Sequence, residues 1–156
     1  MRKYSIIALL LIFVCSTYLW AQKKQMHRGA ATTHKSPAAG VSIAASIAAG
    51  KKVYMQYCIS CHQADGGGVQ NMNPPLIKTS FVLGDKSKLV SILQNGFNEN
   101  VEINGDTYSN TMPSFSYLKD QDIANVLTFV RNSFGNKASA VTLKEVTTIR
   151  PAVTKK

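Results

Sequence analysis

Cys58-Ile59-Ser60-Cys61-His62 limits what this chain can fold into more than any other stretch. Two thiols three positions apart lie on one helical turn, and an imidazole follows directly. That spacing lets both sulfurs form thioethers to the two vinyl groups of one haem while the histidine reaches its iron, so it reads as a covalent haem attachment site. A thioredoxin-like redox pair would need a preceding strand and a βαβ setting, and the flanks here are helical and polar. A zinc site needs a fourth ligand, and beyond these residues only His27 and His34 offer one, both in a stretch without apolar periodicity. A disulfide between Cys58 and Cys61 would close a very short loop and leave His62 without a role.

The chain has 156 residues, enough for one small domain. Arg2 and Lys3 precede an apolar run from Ile6 to Val14, and Cys15 to Ala21 complete the layout of an export signal. Residues 1–21 are therefore expected to be a signal peptide, cleaved after Ala21, or an uncleaved N-terminal membrane anchor. Val14 before Cys15 is bulkier than lipoprotein processing prefers. Export agrees with covalent haem attachment, and the mature chain would then hold two cysteines, both in the motif.

Charge is distributed unevenly. The formal net charge is +10, yet residues 53–136 carry five Lys/Arg against seven Asp/Glu, while residues 22–52 carry six basic residues and no acid. Basicity in the flanks rather than the core argues against a nucleic-acid surface and for a solvated tether, with an anionic membrane as the other option.

Residues 22–42 are rich in Lys, Gln, Ala, Thr and Ser and read as a flexible basic linker; residues 43–136 read as the domain and 137–156, alternating weakly through Val141, Leu143, Val146 and Ile149, as an extended C-terminal tail. A helix is expected through Tyr57, with Gly50 marking close approach by another helix. Gly66 to Pro75 is too rich in breakers for a regular element. A short helix is expected between Asp85 and Asn95, ended by a left-handed cap at Gly96. Asn104-Gly105 between Val101-Glu102-Ile103 and Asp106-Thr107-Tyr108 marks a two-residue hairpin. Ile123, Val126, Leu127 and Val130 form the buried stripe of a last strong helix from about Asp120 to Ser133, with Gly135 beyond it.

If His62 fills one axial position of the iron, the partner opposite must be found. Met26 lies in the linker, Met55 on the attachment helix itself, and Met72 only ten residues past His62. Met112, fifty residues downstream and fixed by Pro113, is singled out as the second ligand. The other nitrogen of His62 needs an acceptor, which a carbonyl of the Pro74-Pro75 turn can supply, with Leu76 next to it over the haem edge.

From Gly50 to Asn136 the chain resembles the class I, mono-haem cytochrome c family, through Gly50-x-x-x-Tyr54, Cys58 to His62, Pro74-Pro75-Leu76, Met112-Pro113 and Leu127 to Asn136. The resemblance implies an all-α small cytochrome c fold, in which N- and C-terminal helices cross around one covalently attached haem c, with the short β-hairpin as an addition. It sets Gly50 and Tyr54 against the face holding Phe129, His62 and Met112 on the iron, and the histidine's acceptor at Pro74 or Pro75. It also implies an electron carrier and not an enzyme. The expected protein is periplasmic and monomeric, passing single electrons between a periplasmic dehydrogenase and a membrane oxidase or bc-type complex, with a membrane tether if the anchor persists. Two alternatives are a haem enzyme or gas sensor with a displaceable distal ligand, and a dedicated electron-accepting subunit of one dehydrogenase.

Overall fold

Ser42 opens the first helix by accepting the Ala45 N–H on its hydroxyl at 3.2 Å. The computed structural model describes residues 42–153, so the expected signal or anchor over 1–21, most of the 22–42 linker, and with them Met26, His27 and His34, lie outside the described residues. Helix α1 spans Ile43–Tyr57 and is followed by a single turn, α2, Ile59–His62. Two more helices, α3 (Ser80–Leu83) and α4 (Lys86–Asn95), precede the hairpin of β1 (Val101–Ile103) and β2 (Asp106–Tyr108). Then come α5, Asp120–Arg131, and α6, Leu143–Val153.

The central packing event is the crossing of α1 over α5. Gly50 makes it possible, because a β-carbon there would lie 2.0 Å from the Asn125 carbonyl oxygen and 2.8 Å from Cβ of Phe129. One turn later Tyr54 is 1% exposed, its ring 5.3 Å from both Phe129 and Phe134. Its hydroxyl donates to the Gln63 carbonyl at 2.6 Å, fastening α1 to the chain leaving α2. The stripe of α5 behaves as its spacing predicts, with Ile123, Val126, Leu127 and Val130 all buried. In the hairpin Val101 faces Tyr108 and Ile103 faces Asp106, while Asn104 and Gly105 take the positive φ angles that their turn requires.

Two expectations are corrected. Gly96 does take a positive φ of 78°, but its ψ of −174° is extended rather than left-handed helical. The chain leaves α4 in this way so that Phe97 can pair with Met112, and a β-carbon on Gly96 would meet the Met112 carbonyl at 2.6 Å. The second concerns 137–156, which is not an extended tail throughout: after a non-helical segment it forms α6, which packs on α4 and α5. The helix begins with a capping box, in which the Thr142 hydroxyl accepts the Glu145 N–H at 3.2 Å and the Glu145 carboxylate accepts the Thr142 N–H at 2.7 Å. Val146 is fully buried, Ile149 packs on the same core, and Leu143, counted in the weak alternation, is largely exposed.

Candidate haem site

The attachment motif closes α1. Cys58 caps that helix, and its carbonyl accepts the N–H of His62 at 2.9 Å, which winds the motif into the single turn of α2. The two cysteines are not joined to each other, and Cys58 is half-buried while Cys61 is exposed. Before haem is attached, burial, reinforced by the neighbouring Cys61, pushes the Cys58 thiol up to about 11. Among the described residues no group of three or more His, Cys, Asp and Glu side chains is gathered for a metal ion, and the other ligand candidates of the zinc reading, His27 and His34, lie outside them.

His62 is buried, and its Nδ1 lies 2.9 Å from the Pro74 carbonyl oxygen. A carbonyl can only accept, so Nδ1 carries the proton and Nε2 is left with its lone pair. Burial lowers the pKa of this imidazole and the bond to Pro74 partly offsets it; both features suit a neutral metal-ligating histidine. The breaker-rich segment provides the acceptor. Gly68 donates to the His62 carbonyl at 3.1 Å and Leu76 to the Gly66 carbonyl at 2.7 Å, so the loop folds back on the motif. Gly68 has φ 68° and would clash with the Asn73 and Pro74 carbonyls if it carried a side chain. Asn136 completes the hold: its amide donates to the carbonyls of Leu76 and Val130 at 2.8 Å each, and its oxygen accepts the Lys78 N–H at 2.7 Å.

Met112 comes from a segment fifty residues downstream of His62. It sits in a two-residue bridge with Phe97, donating to the Phe97 carbonyl at 2.7 Å and accepting from its N–H at 2.9 Å. Of the three methionines among the described residues, Met55 and Met72 are 50% and 49% exposed, whereas Met112 is half-buried against the core.

These residues share one cavity of about 380 Å³. Cys58, Cys61, His62, Pro74, Pro75, Leu76 and Met112, every position singled out in the sequence, line it. Sequence reasoning did not find the rest of the wall, which is mostly hydrocarbon and includes Leu89, Leu93, Phe97, Ile103, Val126 and Val130. Periodicity marks the last two only as buried, since a side chain facing a cofactor and one facing another helix follow the same pattern. The donor set and the apolar walls fit haem: two thiols on one turn, an unprotonated imidazole nitrogen, a thioether, and a cavity otherwise without charge apart from Glu99.

A family model described as Cytochrome c matches residues 47–134. The chain belongs to the cytochrome c family. Its cofactor is haem c, held covalently through the Cys58/Cys61 pair. Among curated relatives, a cytochrome c-552 of Thermus thermophilus is 35% identical over 98 residues, covering 60% of this chain and 66% of the relative. The cytochrome c subunit of a quinone alcohol dehydrogenase from Gluconacetobacter polyoxogenes is 38% identical over 104 residues, 65% of this chain but 22% of the subunit. The gluconate 2-dehydrogenase cytochrome c subunit of Pantoea cypripedii is 34% identical over 105 residues, again 65% of this chain and 24% of the subunit. The chain thus spans just under two thirds of the first of these relatives and about a quarter or less of the dehydrogenase subunits. The hairpin of β1 and β2 falls within the family match, while α6 falls wholly beyond it.

Proposed function

We propose that this cytochrome c is an exported one-electron carrier whose haem iron is held by His62 and Met112. The observation that carries the reading is that His62 and Met112 line the same apolar cavity, one tied to the Pro74 carbonyl and the other to Phe97, while Met55 and Met72 stand at the surface. When bound, haem c supplies an iron that takes up and releases one electron without bond making in a substrate. The protein's part is to keep that centre in place. Pro74 holds the imidazole plane, Phe97 holds the strap bearing Met112, and the hydrocarbon walls limit water, which favours the less charged, reduced state.

With His62 and Met112 both on the iron, a bound haem would have no coordination site left for a substrate, which favours a carrier over a haem enzyme or gas sensor. The periplasm is the location favoured by the signal-like residues 1–21, and an uncleaved anchor there would tether the domain by the linker. Among the described residues no helix is long and apolar enough to cross a membrane, so any anchor would have to lie outside them. Redox partners of the dehydrogenase class are favoured by the relatives that are themselves dehydrogenase cytochrome subunits. A dedicated subunit would copurify with one dehydrogenase, and a monomeric shuttle would not.

The test is the oxidised spectrum of the holoprotein at the red end of the visible, where a methionine-to-iron charge-transfer band is expected. Met112→Ala should abolish the band, lower the potential and let carbon monoxide bind the reduced iron. A band that survives that substitution, or a high-spin spectrum in the unaltered protein, would sink the ligand assignment and favour the enzyme or sensor class.

A further inference from the structure

The strap that carries Met112 is tied down from two directions. On one side it is fixed to the end of α4, where the Ser114 hydroxyl donates to the Gln94 carbonyl at 2.6 Å and the Phe115 N–H to the Leu93 carbonyl at 2.8 Å. On the other side a single side chain of α6 gathers the strap. Arg150 donates through Nη1 to the Leu118 carbonyl at 2.9 Å and through Nη2 to the Ser116 carbonyl, six and four residues past Met112. The same guanidinium donates through Nε to Oε1 of Gln94 at 2.6 Å and pairs through Nη1 with Asp120, at the start of α5, at 2.5 Å. One planar group with five N–H donors therefore joins the end of α4, the strap and the first residue of α5, a task that a lysine ammonium could do only in part.

Arg150 is itself held in place. Val146 one turn earlier is fully buried, Lys86 on α4 pairs with Glu145 at 2.7 Å, and the Asn95 amide donates to the Val153 carbonyl at 3.2 Å. Both Arg150 and α6 lie beyond the residues that the family model matches.

We propose that Arg150 is a positioning residue for Met112, and that α6 acts through it as a clamp setting how readily the strap swings away from the iron. The inference rests on the reading of Met112 as the distal ligand. A small external ligand can bind the oxidised iron only in the fraction of molecules whose strap is open, so its apparent affinity reports that fraction directly. Losing the ties from Arg150 to Ser116 and Leu118 removes contacts made only in the closed arrangement.

The experiment is titration of the oxidised holoprotein with imidazole, alongside the red-end charge-transfer band. Arg150→Ala should tighten imidazole binding by about tenfold or more and weaken the band, with Arg150→Lys in between. Phe129→Leu, at the α1/α5 crossing away from the strap, serves as a control for lost stability: it should lower the melting temperature and leave imidazole affinity as it was. The clamp is overturned if Arg150→Ala binds imidazole within about twofold of the unaltered protein, or if Phe129→Leu shifts the affinity as much at an equal loss of melting temperature. Should Arg150→Ala not accumulate as holoprotein, the same comparison made with Arg150→Lys decides. Met112→Ala separates the two levels: survival of the band there removes the ligand assignment, whereas its loss there together with a normal Arg150→Ala removes the clamp alone.

Discussion

Gly50 on α1 and Asn125 on α5 are in backbone contact, so close that a methyl group on Gly50 would reach 2.0 Å from the Asn125 carbonyl oxygen. Both helices contribute to the site, since α1 leads directly into Cys58 while Val126, Leu127 and Val130 of α5 form part of the cavity wall. The contact itself bears on the stability of the fold. Gly50→Ala should gain about 1 kcal/mol in helix propensity and still lose about 2 kcal/mol overall, because no flexible side chain can yield at the contact. Denaturant unfolding of the holoprotein measures this, and a variant as stable as the parent would mean that the helices can separate at no cost.

Thr128 and Val141 exchange two hydrogen bonds within the core. The threonine hydroxyl donates to the Val141 carbonyl at 3.0 Å and accepts its N–H at 2.9 Å, and both residues are buried. Thr128→Val keeps the shape and leaves both backbone groups of Val141 without a partner, for an expected loss of about 2 kcal/mol. Thr128→Ser keeps the hydroxyl and gives up one methyl group, about 1 kcal/mol. If the two variants unfold at the same denaturant concentration, the hydrogen bonds carry no weight.

Asn136 holds the loop behind His62 through three bonds, two donated and one accepted. Asn136→Ala should cost about 3 kcal/mol, since the buried Val130 carbonyl and the part-buried Leu76 carbonyl lose their donor and the Lys78 N–H its acceptor. Asn136→Asp should fare little better, because a carboxylate can serve Lys78 and cannot donate to the two carbonyls. Amide exchange at Lys78 is the local reporter. It should accelerate in the alanine variant and stay slow in the aspartate variant.

The parts of this structure legible beforehand are those in which one residue type has one physical use. Two cysteines and a histidine at fixed spacing, Asn-Gly between two short strands, and an apolar stripe at 3.6-residue period each specify their local geometry without reference to the rest of the chain. Asn136, Arg131 and Arg150 are not legible in that way. Arg131 looks like a favourable charge at the end of α5, yet it is buried and donates to the carbonyls of Val82, Gly84 and Ser139. Its partners are 47 and 49 residues away on one side and eight on the other, and carbonyls leave no mark in a sequence. The capping box of Thr142 and Glu145 is a sequence signal that the reading of an extended tail passes over in favour of an alternation of apolar residues, in which Leu143 turns out to be exposed. Pro151 in the last turn weighs against a helix as well, and α6 accepts it at the cost of one hydrogen bond.

The acid response of α6 follows from Glu145. Its carboxylate is held at about 2, well below its ordinary 4.5, first by the hydrogen bond from the Lys86 ammonium and next by the Thr142 N–H. The buried Arg131 guanidinium on α5 also feels this carboxylate. A folded value below the unfolded one means that the interaction contributes fully above about pH 4.5 and is lost as the pH falls toward about 2. The Glu145 side chain is 37% exposed, so solvent screens the pair and the contribution stays below about 1 kcal/mol. Glu145→Gln should therefore melt lower than the unaltered protein at pH 6, and the gap should have narrowed by pH 3 and close only as the pH approaches about 2. High salt at pH 6 should narrow it too. Melting curves of the two holoproteins that run parallel from pH 6 to pH 3 would show that the Lys86 pair and the cap do not bear on how α6 is held.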